Sequence, residues 1–281
     1  MRTLAMCDNV FDVYNDTLCY PGGNAVNVAV NLSKLGADSH YLGNISLDFY
    51  GKYLQYVLDT YKVKYENCKT YENGTTKCCM HSMENGVRNF LRVDLGENFP
   101  GFLEIDESDI GYIQSFDAVL SSCNSKMEKE IRKLKEYTGI FVYDFGEKDK
   151  YRTEEYFSLV MPYTDIAQFS CSGRTIEECV TFVGNNKISC MKLFTRGDEN
   201  PVIVYHDSVY EGTITEADVV DPLGAGDGYI SALVYSLYQQ GYRKESNVSD
   251  EVIRNAMRFA SESAAKVCEI DGAISMPVTK E

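Results

Sequence analysis

The sequence predicts an α/β fold, a three-layer αβα sandwich with a mostly parallel sheet and a small β lid. Three observations carry that expectation. Short apolar runs alternate with helix-period patterns along most of the 281 residues, and such alternation builds parallel strands covered on both faces by helices. Two segments break the alternation, 14–20, short and rich in Tyr, Cys and Asp, and 75–93, which alternates like strands, and together they could form a small β-sheet. No internal repeat or low-complexity tract divides the chain, so residues 1–281 are expected to form a single domain carrying those two lid segments.

Each element follows from local pattern. Residues 4–13 read as the first strand. Gly22 and Gly23 then turn the chain into a helix near 24–35, where Ala25, Val28, Ala29, Leu32 and Leu35 form one apolar stripe and Gly36 is the stop. Residues 39–42 form the next strand, followed by a helix near 50–60. Between 75 and 93 the alternation is strand-like around Glu84-Asn85-Gly86, a good hairpin turn. Strands at 118–121, 140–143, 166–169 and 192–195 are interleaved with helices near 126–137 and 175–185. After residue 221, Ile230, Leu233, Val234 and Leu237 fall at i, i+3, i+4 and i+7, with Gly241 closing the helix and 242–250 a polar linker to the next.

Composition bounds the partners. A net charge of −15 argues against a nucleic-acid backbone as main partner. No stretch approaches ~18 uninterrupted apolar residues, so no membrane span is expected. The start, Met-Arg-Thr-Leu-Ala-Met-Cys-Asp, reads as a strand and not as a signal peptide. Ten cysteines show no Cys-x-x-Cys spacing and only three histidines accompany them. They read as reduced thiols of a cytoplasmic protein.

The most informative stretch is 221–227, Asp-Pro-Leu-Gly-Ala-Gly-Asp. Gly224, Ala225 and Gly226 are small enough to bend sharply and approach a ligand, and they open a helix whose free N–H groups would face an anion. Asp227 sits in the first helical turn, placed to take a proton from a hydroxyl beside that anion. An anion cradle with an adjacent base is the minimum equipment for phosphoryl transfer to an alcohol. The plain alternative is a Gly-rich turn with a capping Asp.

This stretch resembles the C-terminal signature of the phosphofructokinase-B family, the ribokinase-like sugar and nucleoside kinases. Residues 21–36, Pro-Gly-Gly-Asn-Ala-Val-Asn-Val-Ala-Val-Asn-Leu-Ser-Lys-Leu-Gly, are similar to the family's N-terminal signature. The stretch 43–51 looks like its Gly-x-x-x-x-Asp-x-x-Gly segment, Thr195-Arg196-Gly197 like its Thr-x-Gly loop, and Ala264, Ala265, Gly272 and Ala273 like its last helix and loop. Asp-Asn-x-x-Asp-x-Tyr at 8–14, with Asp144-Phe145, is similar to the fructoselysine 6-kinase branch. Two positions depart from the family pattern. Cys7 stands where Gly is usual, and Ser170-Cys171-Ser172-Gly173 stands where Asn-x-x-Glu often helps organise Mg²⁺.

The resemblance implies a ribokinase-like fold and an ATP-dependent sugar kinase, acting on a primary hydroxyl, with fructoselysine at C6 as the acceptor. It implies Asp227 as base, with the N–H groups of Gly224, Ala225 and Gly226 on the transferring phosphoryl. Asp12, Gly23, Asn24 and Asn27 would hold the sugar, and Arg88 or Arg92 could reach a substrate carboxylate. Asp16 and Glu84 are candidates for the tail's ammonium. Thr195, Gly197, Ala264 and Gly272 would line the nucleotide site. Mg²⁺ would accompany ATP, a monovalent cation is a further expectation, and the lid could clasp a homodimer. His81 reads as an ordinary strand residue. Fructose, ribose and nucleosides remain alternative acceptors, Tyr14, Tyr20 and Phe90 being able to stack a base. A catalytically silent sugar-binding regulator is the alternative of a different class.

Overall fold

The computed structural model describes residues 1–279 except 85–86, 99 and 185–189; the side chains of 83, 84, 87–89, 183 and 184 are not among those described. β1 (Arg2–Met6) lies in the central sheet. Cys7 and Asp8 then take left-handed backbone angles, φ 65° and 36°, and turn the chain out of that sheet. The single strand expected over 4–13 is therefore two strands in two sheets. β2 (Val10–Tyr14) pairs antiparallel with β3 (Leu18–Gly22). Next come α1 (Asn24–Lys34), β4 (Asp38–Leu42), β5 (Asn44–Ser46) and α2 (Phe49–Thr60), whose start is capped by the Asp48 carboxylate on Gly51 N at 2.8 Å.

β6 (Lys69–Tyr71) pairs with β5, and β7 (Cys78–Glu84) forms the expected hairpin with β8 (Val87–Asp94). The turn at Asn85-Gly86 lies outside the described residues. α3 (Glu107–Ile113) starts at a capping box between Asp106 and Asp109, and leads to β9 (Ala118–Ser122). The helix expected near 126–137 is not an α-helix. Lys126 adopts φ 54°, which ends a 3₁₀ turn over Cys123–Ser125, and a second 3₁₀ turn covers Ile131–Leu134. The apolar spacing that suggested a helix is real, because Met127, Ile131 and Leu134 are buried. Lys126 separates the two turns, so the apolar spacing is carried by short 3₁₀ turns and not by a continuous α-helix.

β10 (Ile140–Asp144), α4 (Glu154–Val160), β11 (Ile166–Ser170), α5 (Ile176–Gly184) and β12 (Met191–Arg196) keep the expected alternation. β13 (Glu199–Tyr205) and β14 (Ser208–Glu211) turn back antiparallel, before α6 (Ala225–Gln239), α7 (Asp250–Cys268) and β15 (Val278–Thr279).

Among the described residues the central sheet runs β14-β13-β12-β11-β10-β9-β1-β4, parallel from β12 to β4. Period-two alternation sends its side chains to opposite faces. Ala5, Leu120, Val142 and Leu193 meet α1, α6 and α7 in one core; Leu4, Val119, Phe141 and Phe169 meet α3, α4 and α5 in another. Each fully buried Leu or Phe of this kind contributes roughly 1.5–3 kcal/mol of transfer free energy. Two apolar cores on one sheet make the three layers. The second sheet runs β15-β3-β2-β7-β8, so the expected lid also takes in β2 and the chain's end. All ten cysteines are free thiols, and no helix among the described residues is long and apolar enough to cross a membrane.

Candidate active site

Gly224 starts α6 in a left-handed conformation, φ 80°. A side chain there would strain the backbone and place its β-carbon 2.5 Å from Cβ of Ala273, so the turn needs glycine. Asp221 laces this turn to the last loop: its carboxylate accepts from Leu223 N at 2.9 Å and from Gly272 N at 3.2 Å. Gly272, at φ 65°, leaves room for the ring of Tyr20, 2.6 Å from where its β-carbon would be. The N–H of Ala225, expected in the anion cradle, donates to Pro222 O at 3.2 Å. The N–H groups of Gly226 and Asp227 have no protein acceptor among the described residues, as helix starts leave them. Gln168 of β11 donates to Gly226 O at 3.3 Å, which ties this turn to the C-terminal ends of the parallel strands.

Asp227 is buried, and each of its oxygens has a donor from α1: Asn24 Nδ2 on Oδ1 and Asn27 Nδ2 on Oδ2, both at 2.8 Å. The two asparagines are three residues apart on one helix face. Gly23 starts that helix at φ 102°, where a β-carbon would stand 2.5 Å from Asp8 O. Asn24 Nδ2 is also 3.3 Å from Asp144 Oδ2, and Asn124 Nδ2 donates to Asn24 Oδ1 at 2.6 Å. Burial pushes the Asp227 carboxyl up to about 7, against the two asparagine bonds that favour its charged form, and the charge of Asp144 pushes the same way. Burial likewise pushes Asp144 up to about 6, opposed by the Gly146 N–H and the Arg152 guanidinium. A buried carboxyl poised near neutrality beside a helix N-terminus, with a second, half-buried carboxyl next to it, can exchange a proton with a hydroxyl.

The structure thus brings Asn24, Asn27 and Asp227 together with Gly224–Gly226 beside them. Asp12 lies in the second sheet, where its Oδ1 accepts from His81 Nε2 at 2.8 Å. Its Oδ2 and Asn27 Oδ1 both lie 3.5 Å from the point a β-carbon on Gly22 would occupy, so Asp12 faces the α1 cluster across a glycine. His81, expected to be an ordinary strand residue, is Asp12's partner and stacks on Tyr14 at 5.1 Å. Thr195 lies near the end of β12, opposite Ser170, and Gly197, φ 72°, makes the next turn against Ser172. Ala264 packs under the first turn of α6, its Cα 3.7 Å from a β-carbon built on Gly228. The Arg88 and Glu84 side chains lie outside the described residues. Arg92 is exposed on β8, and Asp16 is exposed at φ 60° between β2 and β3.

Sequence reasoning gave no role to Asp144, or to the residues around an adjacent cavity of about 300 Å³ lined by Asp8, Asn9, Asn44, Lys77, Asn124 and Lys126, among others. Asp8, buried, accepts Lys77 Nζ at 3.0 Å and Asn24 N at 3.3 Å. Among the described residues no group of three metal-ligating side chains gathers.

Residues 13–280 match the model of the pfkB family carbohydrate kinases, and the chain belongs to that family: it is a carbohydrate kinase, a phosphotransferase. It is 31% identical to fructosamine kinase FrlD of Bacillus subtilis, over 97% of this chain and 93% of that protein. It is 25% identical to a probable chloroplastic fructokinase-6 of Arabidopsis thaliana, over 93% of this chain and 73% of that one. Among solved structures, the ribokinase of Arabidopsis thaliana complexed with ribose and ATP superposes with a TM-score of 0.80 at 16% identity, over 97% and 94% of the two chains. The fructokinase of Xylella fastidiosa with bound ATP gives 0.79 at 16% identity, with the same coverage. The ribokinase-like sandwich is the fold of this chain.

Proposed function

We propose that this carbohydrate kinase transfers the γ-phosphoryl group of ATP to the C6 hydroxyl of a ketose that carries an amine on C1, with fructoselysine as the acceptor. The likeness to fructosamine kinase FrlD across 97% of the chain carries the choice of acceptor. The buried Asp227 at the start of α6 supports the choice of base. Asp227 takes the hydroxyl proton. The N–H groups at the start of α6 stabilise the charge that develops on the phosphoryl oxygens. Asn24 and Asn27 orient the base, while Asp12, Gly23 and Asn27 face the sugar. The nucleotide lies along Thr195, Gly197, Ala264 and Gly272. Mg²⁺ would accompany the ATP phosphates and help to neutralise their charge, keeping much of its own water as a hard cation of that size does, and a monovalent cation is a further candidate.

The test is kcat/KM for fructoselysine against fructose, ribose and adenosine at fixed Mg-ATP. Fructoselysine should lead. A lead for ribose, fructose or adenosine would overturn the acceptor while leaving the kinase standing, and ATP hydrolysis with no acceptor turned over would favour a silent binder.

The second sheet is also the surface on which we place a homodimer. β8 ends that sheet and exposes Phe90 (61%), Leu91 (57%) and Val93 (40%), apolar groups on a strand whose outer edge is unpaired among the described residues. Sedimentation equilibrium should give twice the chain mass, and Phe90→Asp with Leu91→Asp should give the monomer. A monomeric wild-type protein at assay and higher concentrations would remove this proposal.

A further inference from the structure

We propose that the cavity beside Asn24 is a subsite for a carboxylate on the acceptor, with the Lys126 ammonium as its anchor; this rests on the amine-bearing ketose reading above. Two contacts connect the cavity to the reacting end. Asn124 on its wall donates to Asn24 Oδ1, and Asp8 on its wall accepts from Asn24 N, while Asn24 itself holds Asp227. The cavity therefore adjoins the reacting end, and an acceptor with its primary hydroxyl at Asp227 can extend its tail into this space. The volume, about 300 Å³, is at the small end of ligand pockets, enough for a tail beyond the sugar.

The lining has the charge for an anion. Two ammonium groups, Lys77 and Lys126, stand against one carboxylate, Asp8, on a protein whose net charge is −15. Lys77 is taken up by Asp8 at 3.0 Å. Lys126 has no carboxylate within ion-pair distance among the described residues. It is also held in an unusual way. Its backbone is left-handed, φ 54°, directly after the 3₁₀ turn that carries Asn124, and its Nζ lies 3.7 Å from a β-carbon built on Gly101 across the cavity. A non-glycine residue in that conformation is sparsely populated and points to a constraint on where its side chain goes. The amides of Asn9, Asn44 and Asn124 complete a polar wall. Asn9 and Asn44 are positioned from within, Asn9 donating to Tyr41 Oη and Asn44 O, and Asn44 to Phe102 O.

The nucleotide phosphates are the other anion in the reaction. They belong with the free N–H groups of α6, and none of residues 224–227 lines this cavity. The positions expected at first for the tail were Arg88, Asp16 and Glu84. Asp16 is exposed on a turn, while Asp8 lies in the cavity wall with its charge met by Lys77.

The experiment compares two acceptors that differ only in the carboxylate, fructosyl-lysine and fructosyl-cadaverine, with wild-type protein, Lys126→Met and Lys126→Arg. In the wild type the ratio of kcat/KM should favour fructosyl-lysine by about two- to fivefold, the worth of an exposed ion pair. Lys126→Met should bring that ratio toward one through KM, and Lys126→Arg should restore most of it. An unchanged ratio in Lys126→Met overturns the subsite and leaves the acceptor reading intact. A raised KM for ATP in that variant assigns the anion to the nucleotide and overturns it too. Failure of the wild type to phosphorylate either fructosamine, with fructose accepted, overturns both readings at once.

Discussion

Asp227→Asn should lower kcat by ~10²–10⁴, the range for loss of a positioned general base, with little change in ATP affinity. The substitution keeps size and takes away only proton acceptance. The buried surroundings can accommodate it: among the described residues Asn27 Oδ1 has no hydrogen-bond partner, so turning that amide presents an acceptor to the new NH₂ group. The protein should therefore stay folded, which a circular-dichroism melt checks. The same residue should set the pH profile. Burial pushes Asp227 up to about 7, so kcat/KM should rise with pH along a limb near that value. Asp144 carries a like charge that helps to raise it, so Asp144→Asn should move the limb to lower pH. The stability sign is opposite to that of a salt-bridged carboxylate. A carboxyl raised from 3.8 stabilises the fold fully below its unfolded value, and that contribution is lost as the pH rises toward 7. A near-normal kcat in Asp227→Asn would place the base elsewhere.

The parts of this site that sequence reveals are those built by neighbours in the chain. Gly224 and Gly23 mark left-handed starts of helices, and Asn24, Asn27 and Asp227 are within a turn of them. Pairing across the sheets is a different matter. His81 reaches Asp12 because β7 lies parallel to β2 in the register Asp12↔Cys79, Tyr14↔His81, and nothing local to His81 announces that register. Asp144 looks like the polar end of a strand until parallel packing brings it over α1. Two errors share one cause. The turn at Cys7-Asp8 and the break at Lys126 both use left-handed residues that are not glycine, so periodicity runs straight through them. These same two places put Asp8 and Lys126 into the cavity wall, which is why the cavity was illegible in the sequence while the helix starts were plain.

Gly226→Val should abolish most phosphoryl transfer, by about 10²-fold or more, the scale of losing one donor to a developing oxyanion. The claim separates two uses of glycine within one turn. Gly224 is needed by the fold, since any β-carbon there collides with Ala273 and the backbone is left-handed. Gly226 is inside α6, where its backbone is helical and a β-carbon would meet only Gln168 Nε2, at 3.1 Å. That atom is the end of a flexible side chain and can give by a few tenths of an ångström. Valine is a better helix former than glycine by a few tenths of a kcal/mol, so stability should change little. What valine takes away is open space at the helix start, beside N–H groups that have no protein partner among the described residues. Gly226→Ala, with one carbon and no branch, should give an intermediate loss at the same melting temperature. If Gly226→Val melts like the wild type and turns over like it, the amides at the start of α6 do not face the reacting phosphoryl group, and the anion cradle must be sought at another helix start.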